Sequence, residues 1–191
     1  MQREHERAPC SPADLFTLAL NHLDDIKDQL EKGPFSNRGL FKPETSEEAI
    51  QKWLADKLEA SARSRYVVSR EKEVDKRKRP DIRLDNPTIS GSVSIEIKPL
   101  DKNYSLPDLE SALTDQLLGL YIRDARSRHG ILVLTYAGSK KHWEVPDTND
   151  RVDFAALTDH LARALRLEKE DPRVDGLRVV ALDFTTAASQ P

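Results

Sequence analysis

A single cysteine, Cys10, stands in 191 residues, so no internal disulfide can staple the fold. The five histidines, His5, His22, His129, His142 and His160, show neither an HExxH pattern nor a paired Cys/His spacing, and a zinc site is not expected. No apolar run approaches the roughly 18 residues a membrane-spanning helix requires, and "MQREHERAPCSPAD" lacks the apolar centre of a signal peptide. These absences lead us to expect an intracellular, cytoplasmic protein without a membrane span. "YAGSKKHWE" has glycine and lysine but not the eight-residue phosphate-loop spacing, and no GxSxG element occurs, so nucleotide binding and acyl chemistry draw no support.

The length suits one domain of ordinary size with appendages. Charged residues make up 33% of the chain and the net charge is -3, with a mean hydropathy of -0.63. The charge is uneven. Between Arg63 and Arg83 nine lysines and arginines stand against four acids, a basic face inside an acidic whole.

Periodicity divides the chain into helices and strands. "SPADLFTLALNHLDDIKDQLEKG" carries Leu15, Leu18, Leu23, Ile26 and Leu30 near helical spacing. The Gly/Pro-rich "GPFSNRGLFKPET" reads as a loop. In "TSEEAIQKWLADKLEA", Thr45 or Ser46 caps a helix whose buried stripe is Ile50, Trp53, Leu54 and Leu58. Three strand-like segments follow, "RYVVSRE", "PDIRLD" and "SVSIEIKPL", the last two joined by the hairpin-like "NPTISG". "SLPDLESALTDQLLGLYIRDA" then predicts one α-helix with a Ser105–Asp108 capping pattern and a stripe of Leu106, Leu109, Leu113, Leu117 and Leu120. "HGILVLTYA" suits a strand buried on both faces. A helix from Phe154 to Leu167 and a strand in "GLRVVALDFT" complete the order α, α, β, β, β, α, β, α, β, which argues an α/β protein with a mixed β-sheet flanked by helices.

One strand is unusual in its charge. Alternation puts Val93, Ile95 and Ile97 on one face and Ser94, Glu96 and Lys98 on the other. Pairing with "PDIRLD" can bring Asp81 beside Glu96. Two adjacent carboxylates repel unless a proton or a cation joins them, and a hard divalent ion with oxygen ligands meets that need. Lys98 could hold a water or neutralise charge on a phosphate. The plain alternative is a salt bridge on a solvated sheet face.

Pro80-Asp81 and Glu96-Ile97-Lys98, set in a helix, three-strand meander, helix and strand between Thr45 and Ala137, resemble the PD-(D/E)XK nuclease superfamily. The resemblance implies a restriction-endonuclease-like core, αβββαβ. Around it the chain adds an extra N-terminal helix with its linker (1–44) and a C-terminal αβ extension, so that the nuclease-like domain spans 45–186, followed by a tail (187–191). It further implies Mg²⁺ or Mn²⁺ on Asp81 and Glu96, Lys98 acting on the attacking water, and DNA as partner.

Many members of that superfamily also use a glutamate of the first core helix. Glu47, three and seven residues before Ile50 and Leu54, shares their stripe and is preferred over Glu48; both acids also complement the helix dipole. Gln116, from a segment similar to helices that reach the metal site in several branches, is a further candidate, or else an ordinary exposed glutamine. Lys76, Arg77, Lys78 and Arg79 stand directly before Pro80 and are expected to contact the phosphate backbone, unless they form a solvated face. Lys140, Lys141 and Trp143 read as a nucleic-acid contact or as a solvated loop with a core-anchoring tryptophan.

The resulting expectation is a metal-dependent nuclease acting in restriction, phage defence or repair. Its rival is an inactive nucleic-acid-binding or assembly module on the same fold. The leading helix and its loop offer a surface for a homodimer or a larger protein partner.

Overall fold

Local chemistry sets where each helix begins. In the computed structural model, which describes residues 7–32, 38–39, 41–70, 80–121, 128–146, 150–168 and 174–185, helix α1 runs Pro12–Lys32 behind Ser11, whose hydroxyl accepts from the Asp14 amide. Helix α2, Glu47–Ala62, starts at Ser46, whose side chain accepts from the Ala49 amide at 3.2 Å. Thr45 instead accepts from the Lys42 amide and closes the preceding turn. The stripe of α2 buries Ile50, Leu54, Ala55 and Leu58. Trp53 is displaced to the margin of that stripe, half-buried, edge-on to Phe41 and Phe184.

Strands β1 (Val67–Arg70), β2 (Ile82–Asp85) and β3 (Ser92–Pro99) form an antiparallel meander. Asn86 closes the β2–β3 hairpin, its side-chain oxygen accepting from the Thr88 amide and hydroxyl. Helix α3 (Leu106–Ser111) opens on the expected capping box between Ser105 and Asp108.

After one and a half turns the helix departs from expectation. From Ala112 to Tyr121 it continues as a π-helix, in which i→i+5 bonds replace the α pattern. Leucines spaced by three and four suit the α-helix, but four residues also suit the wider coil, so the stripe does not mark the switch. Leu113 and Leu117 remain buried. The side chains at 116 and 118–121 lie outside the described residues, and Leu120 with them.

Strand β4 (His129–Tyr136) lies parallel to β3. A separate ribbon, β5 (Trp143–Glu144) with β6 (Arg151–Val152), follows it. The chain closes with α4 (Phe154–Glu168) and β7 (Gly176–Asp183). Because β7 pairs parallel with β4, the C-terminal αβ segment supplies the fifth strand of the main sheet, ordered β1-β2-β3-β4-β7. The protein is thus α/β, with a mixed five-stranded sheet flanked by helices.

The two faces of the sheet have separate cores. Helices α1 and α2 cover Ile82, Leu84, Val93, Ile95, Ile97, Ile131 and Val133. The apolar stripe of α1 is therefore buried within the molecule's own core. On the other face Leu106, Leu109, Leu113 and Leu117 pack with α4 and Trp143 over Leu132, Leu134 and Leu177. A Cβ on Gly130 would lie 2.9 Å from Leu117 side-chain atoms, so glycine lets the π stretch approach β4. The edge at β7 is occupied by α1: Lys27 donates to the Ala181 carbonyl at 2.6 Å, and Glu31 accepts from the Asp183 amide. Charged side chains on edge backbone groups block further strand pairing there. Among the described residues, no helix is long and apolar enough to cross a membrane.

Candidate active site

Strand β3 lies in the middle of the sheet, and all eight of its residues are buried. Its apolar row, Val93, Ile95 and Ile97, contributes about 1.5–3 kcal/mol per side chain. That outweighs the few kcal/mol each charge on the opposite row costs, provided those charges are paired. Glu96 is 4% exposed and Lys98 8%, and Lys98 Nζ donates to Glu96 Oε1 at 2.7 Å. The charged row is therefore a buried ion pair rather than a solvated face.

Ile82 pairs with Ile95 across the hairpin, so Asp81, one residue earlier, stands at the level of Glu96. It is 7% exposed. Two donors hold it: the Ile97 amide at 2.7 Å to Oδ2 and the Gln51 side chain at 2.8 Å to Oδ1. Burial pushes its carboxyl far above the ordinary range, to about 8, and the negative charges of Glu96 and then Glu47 add to the effect, against the Ile97 amide and Lys98. The Asp81 carboxyl is thus biased towards its protonated form, by its burial first and by the neighbouring Glu96 charge second.

Glu47 lies in the first turn of α2, on the side turned towards Asp81, and is half-buried, whereas Glu48 is exposed. Gln51, one turn on, joins the two acids: its amide nitrogen donates to Asp81 and lies 3.4 Å from Glu47 Oε1. No motif flags Gln51. Its i+4 spacing from Glu47 on the same stripe was the available signal.

Lys98 has a second neighbour, Tyr104, whose ring centroid lies 5.7 Å from Nζ. Burial alone would depress the lysine, but the charge and hydrogen bond of Glu96 more than compensate, and Lys98 is held above its ordinary value as an ammonium. The Tyr104 phenol is likewise raised, first by its own burial and then by the charges of Glu47, Glu96 and Asp81. A lone tyrosine in a polar loop carried no sequence signal.

The donor set is wholly oxygen: two buried carboxylates, with a third acid close enough to be felt electrostatically. That chemistry fits a hard cation such as Mg²⁺ or Mn²⁺, which takes one or two carboxylates and keeps water on its other positions. Among the described residues no group of three or more acidic, histidine or cysteine side chains forms a cage, so such a cation would rest on the Asp81/Glu96 pair with Glu47 alongside.

Gln116 lies in the π stretch, which packs against β3 and β4, but its side chain is outside the described residues, as are Lys76, Arg77, Lys78 and Arg79. Trp143 is buried in the second core, so it anchors and does not stack on a base. Lys140 donates to the Tyr104 carbonyl, while Lys141 is exposed. Comparison with family models, curated proteins and solved structures finds no match.

Proposed function

We propose that the protein is a metal-dependent nuclease with a restriction-endonuclease-like fold, hydrolysing phosphodiester bonds in DNA. The observation that carries this reading is the meeting of Asp81, Glu96 and Lys98 at one buried point, with Asp81 held by the Ile97 amide and Gln51 within reach of the Glu96 charge. Evolution of a purely structural site gains nothing from pressing two carboxylates together. A cation site does, because the electrostatic cost in its absence becomes affinity in its presence.

Asp81 and Glu96 are the residues that would hold Mg²⁺ or Mn²⁺, with Glu47 alongside. When bound, such an ion polarises a phosphoryl oxygen and acidifies a coordinated water. The protein's own contribution follows from Lys98. As an ammonium it is a donor and not a base, so it orients the attacking water and neutralises charge gathering on the phosphate. The new bond joins the water oxygen to phosphorus, the bond from phosphorus to the leaving sugar oxygen breaks, the water's proton passes to solvent, and the departing sugar oxygen takes up a proton from solvent. Lys76, Arg77, Lys78 and Arg79, directly before Pro80 in sequence, are suited to hold the flanking backbone.

A second reading is favoured by one observation: the Lys98–Glu96 pair is closed, as it would be in a module that binds nucleic acid or assembles without turnover. Lys98→Ala separates the two. In a nuclease it removes cleavage by roughly a hundredfold while DNA affinity, measured with Ca²⁺ in place of Mg²⁺, persists. Loss of affinity in step with loss of the fold, from a wild type that does not cleave, would favour the binding module.

A further inference from the structure

We propose that Tyr104 is a positioning residue of this site: its ring face holds the Lys98 ammonium where the reaction needs it, on a loop strapped down by Lys140. The inference rests on the nuclease reading for its purpose, but its geometry can be tested without it. Lys98 has two anchors of different kind, the Glu96 carboxylate at 2.7 Å and the Tyr104 ring at 5.7 Å. A divalent cation would compete with Lys98 for Glu96. It would not compete for the ring, because a hard cation is best served by carboxylate oxygen and water. Once Glu96 is shared, the ring becomes the contact that keeps the ammonium in place.

The loop is built to hold that ring still. The Tyr104 amide donates to the Lys102 carbonyl at 2.7 Å, and the Lys102 amide to the Pro99 carbonyl at 3.1 Å. Directly after it, Ser105 is locked into the α3 capping box. Asp101 accepts from the Ala137 and Ser139 amides and the Ser139 hydroxyl, tying this loop to the one after β4. That second loop supplies Lys140, whose ammonium donates to the Tyr104 carbonyl and lies 5.4 Å from the Trp143 ring centroid. Trp143 is itself buried in the core. Fixed core, Lys140, Tyr104 and Lys98 thus form one connected series.

The test compares Tyr104→Leu, Tyr104→Phe and Lys140→Met with wild type by two readouts. The first is kcat and KM for cleavage of a DNA duplex in Mn²⁺. The second is the rate at which acetic anhydride labels Lys98, followed by peptide mass spectrometry with and without Mn²⁺. Tyr104→Leu is expected to lower kcat about five- to thirtyfold, the worth of a partly desolvated cation–π interaction, with KM little changed. Lys98 should label faster in that variant, most clearly with Mn²⁺ present. Tyr104→Phe keeps the ring and should restore most of the turnover and protection. Lys140→Met, which unties the loop without touching the ring, should give a smaller change of the same kind and decides the matter if Tyr104→Leu does not fold. Phenylalanine as damaging as leucine, or Lys98 labelling that is the same in all four proteins, would overturn the proposal. A wild type that cleaves nothing would sink the nuclease reading alone, because the labelling still reports whether the ring shields Lys98.

Discussion

Replacing Asp81 by asparagine changes one charge and almost no shape, and the structure gives the sign of its effect on stability. The asparagine oxygen can still accept from the Ile97 amide, and Gln51 can turn its amide to receive the new N–H. What disappears is a carboxyl that titrates at about 8 in the fold against 3.8 in the ordinary state. With the folded value raised, the native state binds more protons than the unfolded state between those two values. Stability therefore falls as pH rises through that window. At about 1.4 kcal/mol for each unit crossed, the buried carboxyl costs on the order of 4 kcal/mol by about pH 7. For a chain of this size each kcal/mol moves the melting temperature by roughly 2–4 °C, so even half of that cost is several degrees. The assay is urea unfolding of wild type and Asp81→Asn from about pH 5 to 9 in chelator, repeated in Mg²⁺. Asp81→Asn should be the more stable protein, by a margin that widens with pH and narrows or reverses when the metal is present. A variant that is less stable in chelator at neutral pH, or a difference that ignores pH, would refute the electrostatic argument.

Three other outcomes follow from particular residues. Glu47→Gln should slow cleavage roughly tenfold more than Glu48→Gln, since only Glu47 approaches Asp81 through Gln51; equal rate constants would show that the facing side of α2 is not what matters. Reversing Lys76, Arg77, Lys78 and Arg79 to glutamate should weaken DNA binding for unrelated sequences and flatten its salt dependence, by about 0.9 in log–log slope for each phosphate no longer neutralised, in fluorescence titrations. His129 is held below its ordinary 6.5 by burial first, with Arg128 adding and Asp175 opposing. Because its folded value is depressed, its contribution is complete above 6.5 and declines as pH falls through and below that value. His129→Phe, which keeps the aromatic contact with Phe16, should remove that acid-side slope in urea titrations between about pH 7 and 5.

Much of this arrangement was legible because two simple periods carry it. Alternation in "SVSIEIKPL" separated the apolar row from Glu96 and Lys98, and the hairpin signal in "NPTISG" brought Asp81 level with Glu96. The helical phase of Ile50 and Leu54 turned Glu47 towards the same point. The rest depends on contacts that no local period encodes. The ribbon of Trp143–Glu144 with Arg151–Val152 is only two residues deep on each side, too short for alternation to register, and it is held by Trp143 entering a core built from distant helices. The π register after Ala112 hides behind leucines whose spacing serves either coil. Gln51 and Tyr104 belong to the site through tertiary placement alone. The row on β3 also proved buried where a solvated face was the simpler expectation, because the π stretch folds over it.

If the Asp81, Glu96 and Lys98 cluster hydrolyses phosphodiester bonds as proposed, supercoiled plasmid shows it most directly. Purified wild type and Asp81→Asn, each verified as folded, are incubated with plasmid in Mg²⁺, in Mn²⁺ and in chelator, and the topological forms are separated on a gel. Wild type should convert supercoiled DNA to nicked and linear forms with either metal and not in chelator, while Asp81→Asn leaves it supercoiled throughout. Folded wild type that never breaks a strand under either metal, or Asp81→Asn that cuts at the wild-type rate, would contradict it.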